Sequence, residues 1–148
     1  MISTSLWQIC RNTCDESLID TQVLIWYQLQ SDRLNPKVYA LIKNPEQQIL
    51  VSVVSLFEIA IKQKIGKLPE FDVPISVLSE VISRDGFSLL GIDAAHIARY
   101  GDIPLLPQHR DPFDRLLLAT ALHENIPIIS ADQNFALYQP QIELIYAG

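Results

Sequence analysis

Short apolar runs alternate with helix-patterned segments along the chain, and this alternation restricts its folding options more than any other feature. Runs of four to eight apolar residues separated by amphipathic stretches argue for buried strands linked by crossover helices. Such an order of elements builds a parallel sheet covered on both faces. The apolar pair Leu18-Ile19 starts the pattern, followed by a helix over 21–30 and a second over 36–43, where Pro36 suits a first turn. A strand over 49–53 feeds a helix over 56–64 that Gly66 is placed to end. Further on, 75–84 is helical, 87–92 is a strand, 94–100 a short helix and 104–111 a loop with two prolines. The segment 112–124 is helical, and its LLLATAL centre is apolar on nearly every side, so both of its faces are expected to be covered. A strand at 128–129, a short helix over 133–138 and a strand over 142–146 complete the chain. The expected fold is an α/β three-layer sandwich around a mainly parallel sheet.

The 148 residues suffice for one domain with a real core, and an apolar share of 49% with 19% charged residues excludes a disordered chain. No internal repeat or linker interrupts it. Two cysteines, Cys10 and Cys14, are too few for a disulfide framework and form no CxxC pair. No apolar run reaches the roughly 18–20 residues of a membrane span. The N-terminal stretch lacks the basic start and apolar run of an export signal, so a cytoplasmic protein without membrane association is expected. The net charge of −6 is unusual for a nucleic-acid binder, because the eleven Lys and Arg residues are scattered rather than clustered. Carboxylates gathered in one site would account for part of that charge, and bound cations would reverse the local field.

Four acids share one placement: an apolar strand, then a carboxylate at its exit or in the first turns of the next helix. They are Asp20 after LID, Glu58 beyond ILVSVVSLFE, Asp114 in HRDPFDR and Asp132 after IISAD. In a parallel sheet these positions fall along one edge, beyond the carboxyl ends of the strands, where sites of open α/β sheets form. Carboxylates so gathered repel one another unless cations or protons intervene. Oxygen ligands of this type suit Mg²⁺ or Mn²⁺. Each acid also has a purely structural explanation. Ser55 to Glu58 reads as a capping box, and Glu58 is spaced to pair with Lys62. Asp111 reads as a helix cap, which puts Asp114 in a favourable first turn, and Asp132 reads as the cap of the last helix. Asp20 is the hardest to explain this way, since a charge directly after a buried strand needs a partner. Zinc is not expected, because His96, His109 and His123 have neither motif spacing nor cysteine company. His109 stands two residues before Asp111, which leaves open that it faces the site, but a solvent-exposed loop residue is the favoured reading. No Gly-rich phosphate loop or GxSxG nucleophile motif is present.

Together, LIDTQVLIWYQ, SVVSLFEIAIKQKIGKL, HRDPFDRLLLATAL and IISADQNFALY resemble the PIN-domain nucleases, and in particular the VapC-like toxins of toxin–antitoxin pairs. The resemblance covers residues 18–148 as the PIN domain and leaves 1–17 as an N-terminal extension, either genuine or the product of a misassigned start codon. It implies a Mg²⁺- or Mn²⁺-dependent endoribonuclease with Asp20, Glu58, Asp114 and Asp132 as catalytic and metal-binding residues. Thr21 and Ser130 match positions whose hydroxyls support such a site, Asp111 is a further acid at its rim, and Arg115 is expected to brace a carboxylate or meet phosphate. It also implies an RNA substrate, a cognate antitoxin partner and a homodimer. Gln22 departs from the family pattern, which often has His there. Two alternatives stay open: a PIN nuclease acting in RNA maturation or on DNA, and a catalytically silent PIN fold that binds protein.

Overall fold

The computed structural model describes residues 16–148; residues 1–15, with Cys10 and Cys14, lie outside the described residues. The chain runs β1 (Glu16–Ile19), α1 (Thr21–Gln28), α2 (Pro36–Lys43), β2 (Gln48–Ser52), α3 (Val53–Lys64), α4 (Ile75–Arg84), β3 (Ser88–Leu90), α5 (Ala94–Arg99), α6 (Pro112–Glu124), β4 (Ile128–Ser130) and β5 (Leu144–Tyr146). Two 3₁₀ turns, Tyr100–Asp102 and Gln133–Tyr138, join the later elements.

All five strands are parallel, in the order β3-β2-β1-β4-β5. Adjacent side chains of one strand point to opposite faces, and the core divides accordingly. Ile19, Ile49, Val51 and Ile129 join α1 to α4 in one apolar cluster, whereas Leu18, Leu50 and Ile128 join α6 in a second. This is the expected three-layer α/β/α sandwich. The LLLATAL segment is enclosed as its composition predicts, with Leu117, Leu118, Ala119, Thr120 and Ala121 all buried. None of the described helices is long and apolar enough to cross a membrane.

The elements differ from the sequence expectation mainly at their ends. The β2–α3 junction lies three residues earlier than the capping-box reading places it. Ser52, not Ser55, is the N-cap, and its side chain accepts from the Val54 N–H at 3.0 Å. Val53 reads as the end of the strand because it is β-branched, yet the serine at the strand exit starts the helix before it. Helix α3 ends in the expected way, with Gly66 at φ +76, a backbone conformation that side chains with a Cβ rarely adopt. Helix α1 stops at Gln28, before Gln30 at φ 51. The edge strands β3 and β5 are only three residues long.

The strand order positions the site. From β1 the chain winds one way through β2 and β3, then returns across β1 to place β4 and β5 on the other side. The winding therefore reverses between β1 and β4, and a crevice opens at such a reversal beyond the strands' carboxyl ends. Ile19 is in register with Val51 and Ile129, so the following residues, Asp20, Ser52 and Ser130, end three neighbouring strands side by side.

Candidate metal centre

Asp20 caps α1 directly after β1. One carboxylate oxygen accepts from the Val23 N–H at 2.8 Å, and the Asp20 backbone N–H donates to the Ile129 carbonyl at 3.0 Å. Only 5% of the residue is exposed. Burial pushes its carboxyl up from 3.8 to about 6, and the charges of Glu58 and Asp132 add to the rise, against hydrogen bonds from Ser130 and Val23. The cap alone does not neutralise this acid.

Glu58 is buried one turn further into α3 than a capping box would place it. Thr21 donates its hydroxyl proton to Glu58 Oε1 at 2.9 Å and accepts from the Ser55 hydroxyl at 3.0 Å. The earlier start of α3 thus releases Ser55 from capping and aligns it with this chain. Lys62 pairs with the other Glu58 oxygen at 2.7 Å, as its i,i+4 spacing predicts.

Asp114 enters from the first turn of α6, capped by Asp111, whose side chain accepts from the Phe113 N–H at 2.8 Å. Its carboxyl is pushed up from 3.8 to about 8, by burial first and then by the charges of Asp111, Glu58, Asp20 and Asp132. Asp132, the most open of the four, follows β4 and caps the 3₁₀ turn, accepting from the Asn134 N–H at 2.9 Å. Its own N–H donates to the Ser130 hydroxyl at 3.0 Å. The acids on four separate elements therefore meet in one crevice, where their charges add to the raised proton affinity of Asp20 and Asp114.

Two expectations fail. His109 is buried, 4% exposed, rather than a loop residue in solvent. A tight turn at Leu106–His109 folds its ring inward against Phe135, 5.1 Å between centroids. Nδ1 lies 2.7 Å from the Tyr138 hydroxyl, and Nε2 lies 3.3 Å from Asp114 and 3.8 Å from Asp132. Burial lowers the His109 pKa, which fits a neutral ring accepting from Tyr138 and donating to Asp114. The sequence clue was its position two residues before Asp111, but a histidine between prolines in a loop has no periodicity to show its direction. Arg115 makes no hydrogen bond to a carboxylate. It is fully buried and donates to the Tyr100 hydroxyl at 3.1 Å and to the carbonyls of Pro104 at 2.7 Å and Ile103 at 2.9 Å, with its guanidinium 4.8 Å from the Tyr100 ring centre. It fastens the loop that leads to His109.

The donor set fits a divalent cation. Asp20 and Asp114, both with raised proton affinity, have no basic partner of the kind that Lys62 gives Glu58, and mark negative charge that the protein leaves only partly neutralised. Carboxylate oxygens of Asp114 and Asp132 already lie within 4.8 Å of one another, with His109 Nε2 beside both.

The profile of the family described as PIN domain matches residues 17–139. The chain is 30% identical over 96 residues to ribonuclease VapC16 of Mycobacterium tuberculosis, a match spanning 64% of this chain and 67% of that protein. Among solved structures, it resembles VapBC2 from Rickettsia felis bound to a promoter DNA fragment, with a TM-score of 0.66 at 19% identity, covering 90% of this chain and 99% of the other. The VapBC-5 complex of Mycobacterium tuberculosis gives a TM-score of 0.61 at 18% identity, covering 88% and 98%. At these identities the structural likeness concerns the fold.

Proposed function

The chain belongs to the PIN-domain family, and on that premise we propose that it is a metal-dependent endoribonuclease, the toxin of a toxin–antitoxin pair. The observation that carries this reading is the convergence of Asp20, Glu58, Asp114 and Asp132, with Asp20 and Asp114 driven toward protonation. Similarity to a VapC ribonuclease and to VapBC complexes supports RNA as the substrate and a cognate antitoxin as the partner. The motif resemblance of the sequence underlies the proposals of a homodimer and a PIN domain over 18–148, and the absence of an export-signal pattern that of a cytoplasmic location.

Asp20, Glu58, Asp114 and Asp132 would hold Mg²⁺ or Mn²⁺. Bound there, such a cation supplies an acidified water and offsets charge developing on a phosphate. Thr21 orients Glu58 through its hydroxyl, and Ser130 supports both Asp20 and Asp132. Asp111 holds the start of α6, and so sets the position of Asp114. His109 adds a proton donor directed at Asp114, and its burial beside Tyr138 keeps bulk water from that side of the crevice. Arg115 serves indirectly, by fixing the loop that carries His109. Cleavage should leave 5′-phosphate and 3′-hydroxyl ends.

The test is to incubate antitoxin-free protein with total cellular RNA in Mn²⁺ or in EDTA, alongside Asp114→Asn, and to map new 5′ ends. Discrete cuts that need the metal and vanish in the variant support the proposal. Undiminished cutting by Asp114→Asn overturns the site, and no cutting with any cation by a folded protein favours the silent protein-binding fold.

A further inference from the structure

Where α5 packs on the last turn of α6, three side chains that the crevice does not use come together. His96 lies in the first turn of α5 with a side chain only 4% exposed. Its Nε2 is, among the described residues, the buried side-chain polar atom without a hydrogen-bond partner. That atom faces Glu124 Oε2 at 3.5 Å. The ring of His123 stands edge-on to it, with centroids 5.0 Å apart and planes at 81°. Ligand-capable atoms of His96, His123 and Glu124 lie within 4.8 Å of one another. Asp114 and Glu124 share α6, and a rise of 1.5 Å per residue separates them by ~15 Å, too far for one ion to touch both.

An orphaned buried nitrogen needs a physical reason. His96 Nδ1 lies 3.1 Å from both the backbone N–H and the carboxylate of Asp93, so two tautomers are available. In one, Nδ1 accepts from the Asp93 N–H, and Nε2 directs its proton toward a carboxylate too distant for a good bond. In the other, Nδ1–H donates to the Asp93 carboxylate, and Nε2 turns a free lone pair toward His123 and Glu124. A carboxylate behind an imidazole is the arrangement that orients histidine toward a metal.

We propose that His96, His123 and Glu124 form a second cation site, for a borderline divalent transition metal such as Zn²⁺, with water completing the coordination. Bonds of ~2.0–2.2 Å place tetrahedral ligand atoms about 3.4 Å apart. The spacing of His96 and Glu124 already meets this, and His123 completes the set by a small rotation of its ring. Two imidazoles and one carboxylate select such a metal over the hard cations suited to the acidic crevice. The carboxyl end of α6 adds the negative end of a helix dipole. The ion would clamp α5 to α6 and brace the segment that continues to Tyr100 and the carbonyls held by Arg115. The sequence hides this site because the ligands lie on two helices far apart along the chain, without zinc-motif spacing.

The test uses the full chain carrying Asp114→Asn, which disables the crevice, cleared of metal with EDTA and titrated with Zn²⁺ or Co²⁺. Expected are a rise in melting temperature, Co²⁺ absorption bands of a nitrogen-ligated site, and a ¹⁵N shift placing the His96 proton on Nδ1. Adding His123→Ala or Glu124→Gln, both at partly exposed positions, should weaken Zn²⁺ binding at least tenfold and remove the Co²⁺ bands. His123→Ala in the otherwise unaltered chain should leave RNA cleavage in Mn²⁺ unchanged. Cys10 and Cys14 are common to every protein compared, so their own metal binding cancels. Equal Zn²⁺ affinity with and without the second substitution, or no thermal response to Zn²⁺, overturns the proposal.

Discussion

Replacing Asp114 by asparagine should make the cation-free protein more stable while it removes RNA cleavage. The folded-state pKa of Asp114 rises from 3.8 to about 8, with burial as the main cause and four neighbouring carboxylates as the rest. Three quarters of its side chain is shielded, at 25% exposure, so solvent screens this field only in part. For a raised pKa, the folded state holds its proton more tightly than the unfolded chain. The associated stability is fully present below pH 3.8 and is lost as the pH climbs through about 8. Over that window the loss is about 1.4 kcal/mol per pH unit. By pH 7.5 it amounts to on the order of 4–5 kcal/mol, a large part of a typical domain's 5–15. Asparagine keeps the shape without the charge. In EDTA, urea unfolding should therefore give nearly equal stabilities for parent and variant at pH 4 and a gap of this order at pH 7.5, equivalent to about 10 °C or more in melting temperature. Mn²⁺ should narrow the gap by stabilising the parent alone. A difference that stays constant from pH 4 to 7.5, or a variant less stable throughout, would refute the claim that Asp114 sits in an uncompensated negative field.

Three further outcomes follow from geometry already described. Ser52→Ala should cost about 1 kcal/mol, the usual value of a lost helix cap, read from the urea midpoint; no change would mean that Ser55 caps the helix after all. Arg115→Met should destabilise by on the order of 3–5 kcal/mol, because the carbonyls of Ile103 and Pro104 and the Tyr100 hydroxyl lose a charged donor together, and calorimetry checks this. The His109 imidazole should titrate below its ordinary 6.5 by NMR, because burial disfavours its charged form. A lowered histidine pKa destabilises the fold as pH falls below 6.5, so a midpoint above 6.5 would show that the ring is charged by Asp114 and Asp132 instead.

The sequence made the layers legible wherever periodicity was strong. The helices 36–43, 75–84 and 112–124 occupy the expected residues: a cap and a first-turn proline mark the first and last, while 75–84, without a side-chain cap, is carried by its amphipathic pattern. The start of α3 was obscured because Val53 and Val54 favour strands locally, while the serine that begins the helix also ends β2. The closeness of the four acids was legible in part because Asp20 and Asp132 follow neighbouring strands of a parallel sheet, while the helices carrying Glu58 and Asp114 bring them to the same edge. His109 and Arg115 were misplaced for a different reason. Each is positioned by a loop, and loop direction depends on tertiary partners, Tyr138 and Phe135 for one, Ile103 and Pro104 for the other, that no local pattern encodes.

The strand order also fixes when the acidic crevice can assemble during the protein's own synthesis. The strands β1, β2 and β3 neighbour one another and leave the ribosome first, whereas β4 fits against β1 only near the end of translation. Asp114 and Asp132 arrive with that last third of the chain, on α6 and just beyond β4. A nascent chain halted before residue 112 carries two of the four acids and cannot assemble the crevice. Assembly of the crevice is thereby delayed until the polypeptide is nearly complete, when most of the fold is already in place.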